Sequence, residues 1–263
     1  MNTKLSGCRM VQVPITQKGK NKFPFIEDIR GRVIKYIDFY ASTYLPGTTT
    51  SGAVSTTDTY LTIMNEIGNT EIHNHVPLER FDYINTQGLR VAIGDKISLN
   101  ECYVDNQNAA NVGKIAAFII WYDLPEYSRK NNCDAVITDY LSIPLRTAVR
   151  YNQLPDEDRM VGRRFRKILA ATPGTTPDYQ TGVSSAQLAN LYLTLRKGSY
   201  NILQDLPLAM LVQLKMQDKT VFQNIIFDLQ SSYITIGGQG TIPNVSTDYV
   251  GKYVFLNCQY EAK

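Results

Sequence analysis

The feature that most constrains this chain is a set of residue matches that run in the same order through its two halves. Val13-Pro14-Ile15 returns as Ile143-Pro144-Leu145, and Gly31-Arg32 with Lys35 and Ile37 returns as Gly162-Arg163 with Arg166 and Ile168. Pro46-Gly47-Thr48-Thr49 matches Pro173-Gly174-Thr175-Thr176, and Tyr60-Leu61-Thr62-Ile63 matches Tyr192-Leu193-Thr194-Leu195. Val76-Pro77-Leu78 matches Leu206-Pro207-Leu208, Asp95-Lys96 matches Asp218-Lys219, and Val112-Gly113-Lys114 matches Val250-Gly251-Lys252. Subtracting residue numbers gives offsets between 123 and 138, the drift that loop insertions and deletions produce. A repeat of this period must be recognised before topology is considered. It predicts two copies of one domain of common size, at residues 1–128 and 129–263.

Each copy reads as β-structure. Seventeen Tyr stand among many Thr, Ile and Val, in stretches without helical periodicity. The first copy divides into apolar or alternating runs at residues 9–16, 32–42, 57–65, 89–93, 96–105 and 114–123. The second divides at residues 136–145, 165–171, 190–195, 211–215, 220–229, 232–236 and 252–259. Turn chemistry separates the runs, at Pro46-Gly47, Gly52, Gly68-Asn69, Gln87-Gly88, Gly94-Asp95 and residues 106–113.

A short helix is expected from Val183 to Leu191, capped by Ser184 or Ser185, with helical turns after Pro77 and Pro207. Many short strands with regular turns predict an all-β chain of two tandem jelly-roll β-sandwiches, a double jelly roll with short helices in its loops. The run Phe118-Ile119-Ile120-Trp121-Tyr122 is apolar at every position, so that strand must be covered on both faces.

Composition excludes several classes. A hydrophobic fraction of 43% with 19% charged residues is that of a folded domain rather than a disordered chain. The net charge of +3 is too small to make nucleic acid the expected main partner. Residues 1–16 lack the apolar core of a signal peptide, and no run approaches the length of a membrane-spanning helix. Folding in a reducing cytosol is therefore expected. Cys8, Cys102, Cys133 and Cys258 form no C-x-x-C pair, so free buried thiols are expected.

Few residues invite a chemical role. His73 and His75, the only histidines, precede Glu79 in an arrangement that resembles the first metal-binding motif of cupins, which are also jelly rolls and also occur in tandem. Alternation along a strand puts residues i and i+2 on one face, where two imidazoles and a carboxylate would suit iron or manganese. Against this, the second copy carries Leu203 and Asp205 before Pro207, the chain has no further histidine, and Pro77 interrupts the strand. A degenerate tandem cupin is thus the enzymatic alternative, and a tandem β-sandwich adhesin or lectin with Tyr-rich sugar-stacking loops the binding alternative.

Arg159 and the run Gly162-Arg163-Arg164-Phe165-Arg166-Lys167 form the densest basic cluster. It is suited to phosphate, or to pairing with Asp156, Glu157, Asp158 or a neighbouring subunit. Gly237-Gly238-Gln239-Gly240 lacks the Lys-Ser/Thr of a phosphate-binding loop. No Gly-x-Ser-x-Gly elbow or Cys-His pairing supplies a nucleophile. Catalytic residues, metal ligands and cofactors are expected to be none.

With these repeats and no catalytic constellation, the chain resembles the double-jelly-roll major capsid proteins of tailless icosahedral phages, most closely the compact corticovirus-like members. The resemblance implies a homotrimer of pseudo-hexagonal outline tiling an icosahedral virion shell. It implies as partners other copies of the chain, further capsid proteins such as a vertex protein, and an internal membrane or packaged genome on the inner face. It implies no small-molecule substrate and no enzymatic activity.

Overall fold

Strands form wherever β-branched and aromatic residues alternate with polar ones, and they dominate both halves of the chain. The computed structural model describes residues 6–42, 45–47, 52–66, 70–82, 91–123, 136–146, 151–170, 182–212, 225–237 and 248–261. The chain divides into two units, the first built on Cys8–Leu45 and Thr50–Asp123 and the second on Leu124–Lys263. The expected boundary at residues 128/129 lies outside the described residues, as do Gly68-Asn69, Gln87-Gly88, Cys133, Pro173 to Thr176 and Asp218-Lys219.

The first unit carries β1 (Ser6–Pro14), β2 (Gly19–Lys22), β3 (Val33–Tyr40), β4 (Thr59–Met64), β5 (Glu71–Pro77), β6 (Ala92–Lys96), β7 (Tyr103–Asn106) and β8 (Ile115–Asp123). Strands β1-β8-β3-β6 lie side by side in that order, and β2-β7-β4-β5 form a second, four-stranded sheet. Phe23, just beyond β2, meets Phe118 of β8 with ring centroids 4.8 Å apart, which joins the two layers. Residues Ala116 to Tyr122 of β8 are all buried, as an apolar strand covered on both faces must be. The Trp121 indole donates to the buried Asp38 carboxylate of β3 at 2.7 Å. That bond satisfies the one polar atom of the side chain.

The second unit carries β9 (Val136–Pro144), β10 (Asn152–Gln153), β11 (Phe165–Ala170), α1 (Ser185–Leu188), β12 (Leu191–Lys197), β13 (Tyr200–Pro207), β14 (Tyr233–Ile236) and β15 (Tyr253–Glu261). The orders are β9-β15-β11 and β10-β14-β12-β13. In terms of the first unit, β9 stands for β1, β15 for β8, β11 for β3, and β10-β14-β12-β13 for β2-β7-β4-β5. Where β3 pairs with β6 through Ile34 and Asp95, Phe165 of β11 bridges Ile225.

The duplication extends to single hydrogen bonds. Ile15 N–H donates to Lys114 O at 2.9 Å and Gly113 N–H to Ile15 O at 2.8 Å; Leu145, Lys252 and Gly251 repeat both bonds at 2.8 and 3.1 Å. Gly113 and Gly251 sit at φ +87 and +76, a region that glycine enters without steric cost. Phe23 N–H reaches Cys102 O as Leu154 N–H reaches Ser232 O. The buried Asn21 and Asn152 each accept a loop N–H, from Thr16 and Arg146 respectively, both at 2.9 Å.

One strand expectation needs correction. Residues 96–105 are not one strand: β6 ends at Lys96, a 3-10 turn spans Leu99–Glu101, and β7 begins at Tyr103. The two strands belong to different sheets. Facing sheets pack about 10 Å apart, so the chain must turn between them. The pairing of Ile34 with Asp95 has its like in the bridge between Phe165 and Ile225.

The helix expected from Val183 to Leu191 is confined to Ser185–Leu188, and Leu191 already opens β12. Ser184 and Gln187 close a capping box on α1, and 3-10 turns at Leu78–Phe81 and Leu208–Leu211 follow the two equivalent prolines. No helix of the described residues is long and apolar enough to cross a membrane.

Candidate functional site

The β4–β5 hairpin holds both histidines, and its register decides where they point. Tyr60 pairs with Pro77 and Leu61 with Val76, but Ile63 pairs with His73, so Thr62 faces two residues, Asn74 and His75. This is a β-bulge, which re-aims the side chains on the longer strand. Thr62 Oγ1 accepts the His75 N–H at 3.1 Å, and His75 adopts φ +50. In the second unit Leu193 pairs with Leu206 and Leu195 with Leu203, Asp205 N–H donates to Thr194 Oγ1 at 3.2 Å, and Asp205 has φ +54. His and Asp are among the side chains that tolerate this conformation. The position is a backbone device common to both units, carrying an imidazole in one and a carboxylate in the other.

The bulge overturns the expectation that His73 and His75 share one face, because the extra residue breaks the two-residue alternation. His75 stacks on Tyr60 with centroids 4.0 Å apart, its Nδ1 3.6 Å from Asp105 Oδ2. His73 instead places Nε2 3.3 Å from Ala92 O and presents an edge contact with Phe81. Glu79 lies past the end of β5 in the 3-10 turn. Among the described residues no three His, Cys, Asp or Glu side chains are grouped to hold a metal ion.

Strands β2-β7-β4-β5 set a row of polar and aromatic side chains beside His75. Lys20 pairs with Asp105 and Lys22 with Tyr103 across β2–β7, while Asp105 pairs with Tyr60 across β7–β4. The Lys20 ammonium lies 4.4 Å from the Tyr103 ring centroid, and Lys22 Nζ lies 2.9 Å from Glu101 Oε2. Lys20, Lys22 and His75 are exposed. No motif search finds such a face, since the pairing register brings these residues together. The only sequence signal is lysine at alternate positions in Lys18-Gly19-Lys20-Asn21-Lys22.

Three arginines of the basic cluster pair with acids of their own unit. Arg159 reaches Asp139 at 3.2 Å, and Arg164 and Arg166 converge on Glu261 at 3.8 and 3.2 Å. Phe165, inside the cluster, is a core residue packed on Phe227. Gly237 donates its N–H to Asn190 O, while the rest of the glycine loop lies outside the described residues.

Cys8, Cys102 and Cys258 are buried. Burial pushes the Cys102 thiol up to about 11 and the Cys258 thiol up to about 12, which disfavours the nucleophilic thiolate. A cavity of about 300 Å³ opens between Phe25, Ile26, Ile29, Ile97 and Leu99 of the first unit.

No family model, no curated protein and no solved structure matches the chain.

Proposed function

We propose that this chain is the major capsid subunit of an icosahedral virion and that each unit is a jelly roll. The observation that carries this reading is the strand pairing. A jelly roll arises when one long antiparallel hairpin, with strands paired 1-8, 2-7, 3-6 and 4-5, wraps into two facing sheets. The first unit contains all four neighbours, β1-β8, β2-β7, β3-β6 and β4-β5. The second contains β9-β15, β10-β14 and β12-β13, with the Phe165–Ile225 bridge in place of the fourth.

Two such rolls in one chain suit a shell subunit, since three chains then offer six similar walls and can imitate a hexagon. Its partners on this reading are other copies, a vertex protein, and a membrane or genome on the inner face, and its location is the virion, after synthesis in the host cytoplasm. Assembly needs extensive contact between copies and no substrate chemistry. The cupin alternative gains nothing from the His pair, whose rings engage different partners.

Size-exclusion chromatography with light scattering tests the reading. Trimers or larger closed assemblies are expected; a strictly monomeric chain at every concentration would overturn it.

A further inference from the structure

We infer that the outer face of the β2-β7-β4-β5 sheet binds single-stranded nucleic acid, through lysines that engage phosphates and tyrosines on which bases stack. This rests on the first unit alone and does not depend on the capsid reading.

Along β2 the buried Asn21 alternates with Lys20 and Lys22, so both lysines stand on the outer face. Two residues of strand rise separate them by about 7 Å. Asn21 also braces the preceding turn, accepting from Thr16 N–H at 2.9 Å and donating to Gln17 O at 3.0 Å and Gly19 O at 2.9 Å. Lys18, exposed in that turn, is therefore presented on a fixed backbone, which lowers the entropic cost of using it. Beside the lysines lie Tyr103 and Tyr60, both half-buried, the first with the Lys20 ammonium 4.4 Å from its ring centroid and the second already stacked on His75 at 4.0 Å, so that a base must share or replace these contacts. Cationic side chains next to accessible rings are the elements that bind single strands without sequence preference.

The acids on this face do not cancel that character. The Lys22 and Glu101 side chains, which pair with each other, are 60% and 43% exposed. Ion pairs so open to solvent contribute little and exchange readily for phosphate. Asp105 stands on the same face, between Lys20 and Tyr60, with its side chain 15% exposed and already engaged by Gln107 and His75.

The second unit serves as an internal control. Its strand β10 pairs Asn152 with Ile234 and Gln153 with Tyr233, as β2 pairs Asn21 with Val104 and Lys22 with Tyr103. The positions of Lys20 and Lys22 are there Tyr151 and Gln153, and Tyr151 packs on Tyr233 at 4.5 Å where Lys20 sits over Tyr103. The same sheet thus forms without the cations, so the lysines are not a requirement of the fold. A lipid surface fits less well, because none of the exposed large apolar side chains among the described residues lies on these four strands, and such side chains are what enters the acyl region.

The test is fluorescence anisotropy of a labelled oligothymidylate titrated with the full chain at about 50 and 200 mM salt. The variants are Lys20→Tyr/Lys22→Gln, which installs the second unit's residues on the same backbone, and Lys167→Glu, in the basic cluster, as control. Wild type is expected to bind at low salt and weaken at high salt. The double variant should lose at least about tenfold in affinity, and its log K against log salt slope should fall by about 0.7 per lysine. Lys167→Glu should leave binding unchanged. An unbound oligonucleotide, equal binding by the double variant, or binding only to vesicles of anionic phospholipid would each overturn the inference.

Discussion

The backbone N–H of His75 donates to the side-chain hydroxyl of Thr62, 3.1 Å away, and the same bond joins Asp205 to Thr194 in the second unit. Both threonines are fully buried. The bulge recurs with its hydrogen bond, its positive φ and its strand register. Bulges are conserved as features of a family, so descent from one ancestral unit explains the recurrence better than two strands happening to reuse similar residues.

Thr62→Val and Thr194→Val keep side-chain volume but remove the acceptor, leaving an interior N–H unpaired. Each is expected to lower unfolding free energy by about 1–3 kcal/mol, with Ser at either position restoring most of it. Urea denaturation followed by fluorescence measures this, and an unaffected midpoint in both variants would remove the bulge hydrogen bond from the account.

At the positive-φ position itself, His75→Asn should be well tolerated and His75→Val poorly. His75 sits at φ +50. A β-branched residue there carries strain of about 1–2 kcal/mol that Asn largely avoids. Thermal unfolding of the two variants compares them directly. Equal midpoints would show that the ring's contact with Tyr60, rather than the backbone, governs the site.

Gly113→Ala and Gly251→Ala form a matched pair. A methyl group added at either glycine meets no atom within 4 Å. The cost is therefore backbone strain alone, about 1–2 kcal/mol. The two variants should cost nearly the same. A large difference between them, read from urea midpoints, would mean the two turns are not equivalent.

The buried thiols set an alkaline limit on stability. Cys102 and Cys258 are raised from 9.0 to about 11 and about 12, chiefly by burial. The fold therefore keeps protons that the unfolded chain releases above about pH 9, so their contribution is complete below that pH and lost as pH rises toward 11–12. The melting temperature is expected to fall between pH 9 and 11, and less steeply in Cys258→Ala measured against its own value at pH 8. Thiol reagents at pH 8 should label these two cysteines only after unfolding.

What can be read from the sequence follows from the range of the interactions involved. Apolar strands such as β1, β3, β8 and β15 carry their signal locally, and so do the capping box of α1 and the proline-led 3-10 turns. The polar strands β2 and β5 are not legible in this way, because Gly-Lys-Asn-Lys and Glu-Ile-His-Asn-His have no apolar alternation and are held by their neighbours instead. β13 is hidden too, its pattern broken by the bulge at Asp205. The sequence locates the histidines but does not aim them, since a bulge is a property of two strands and cannot be read from one. The equivalence of Asn21 and Asn152 is equally invisible, because single matched residues carry no weight until a shared hydrogen bond gives them one.

Negative-stain imaging of the purified chain tests the central claim most directly. The account predicts trimers of hexagonal outline, packing at higher concentration into hexagonal sheets or closed shells. A uniform field of separate particles the size of a single chain, at every concentration examined, would contradict it.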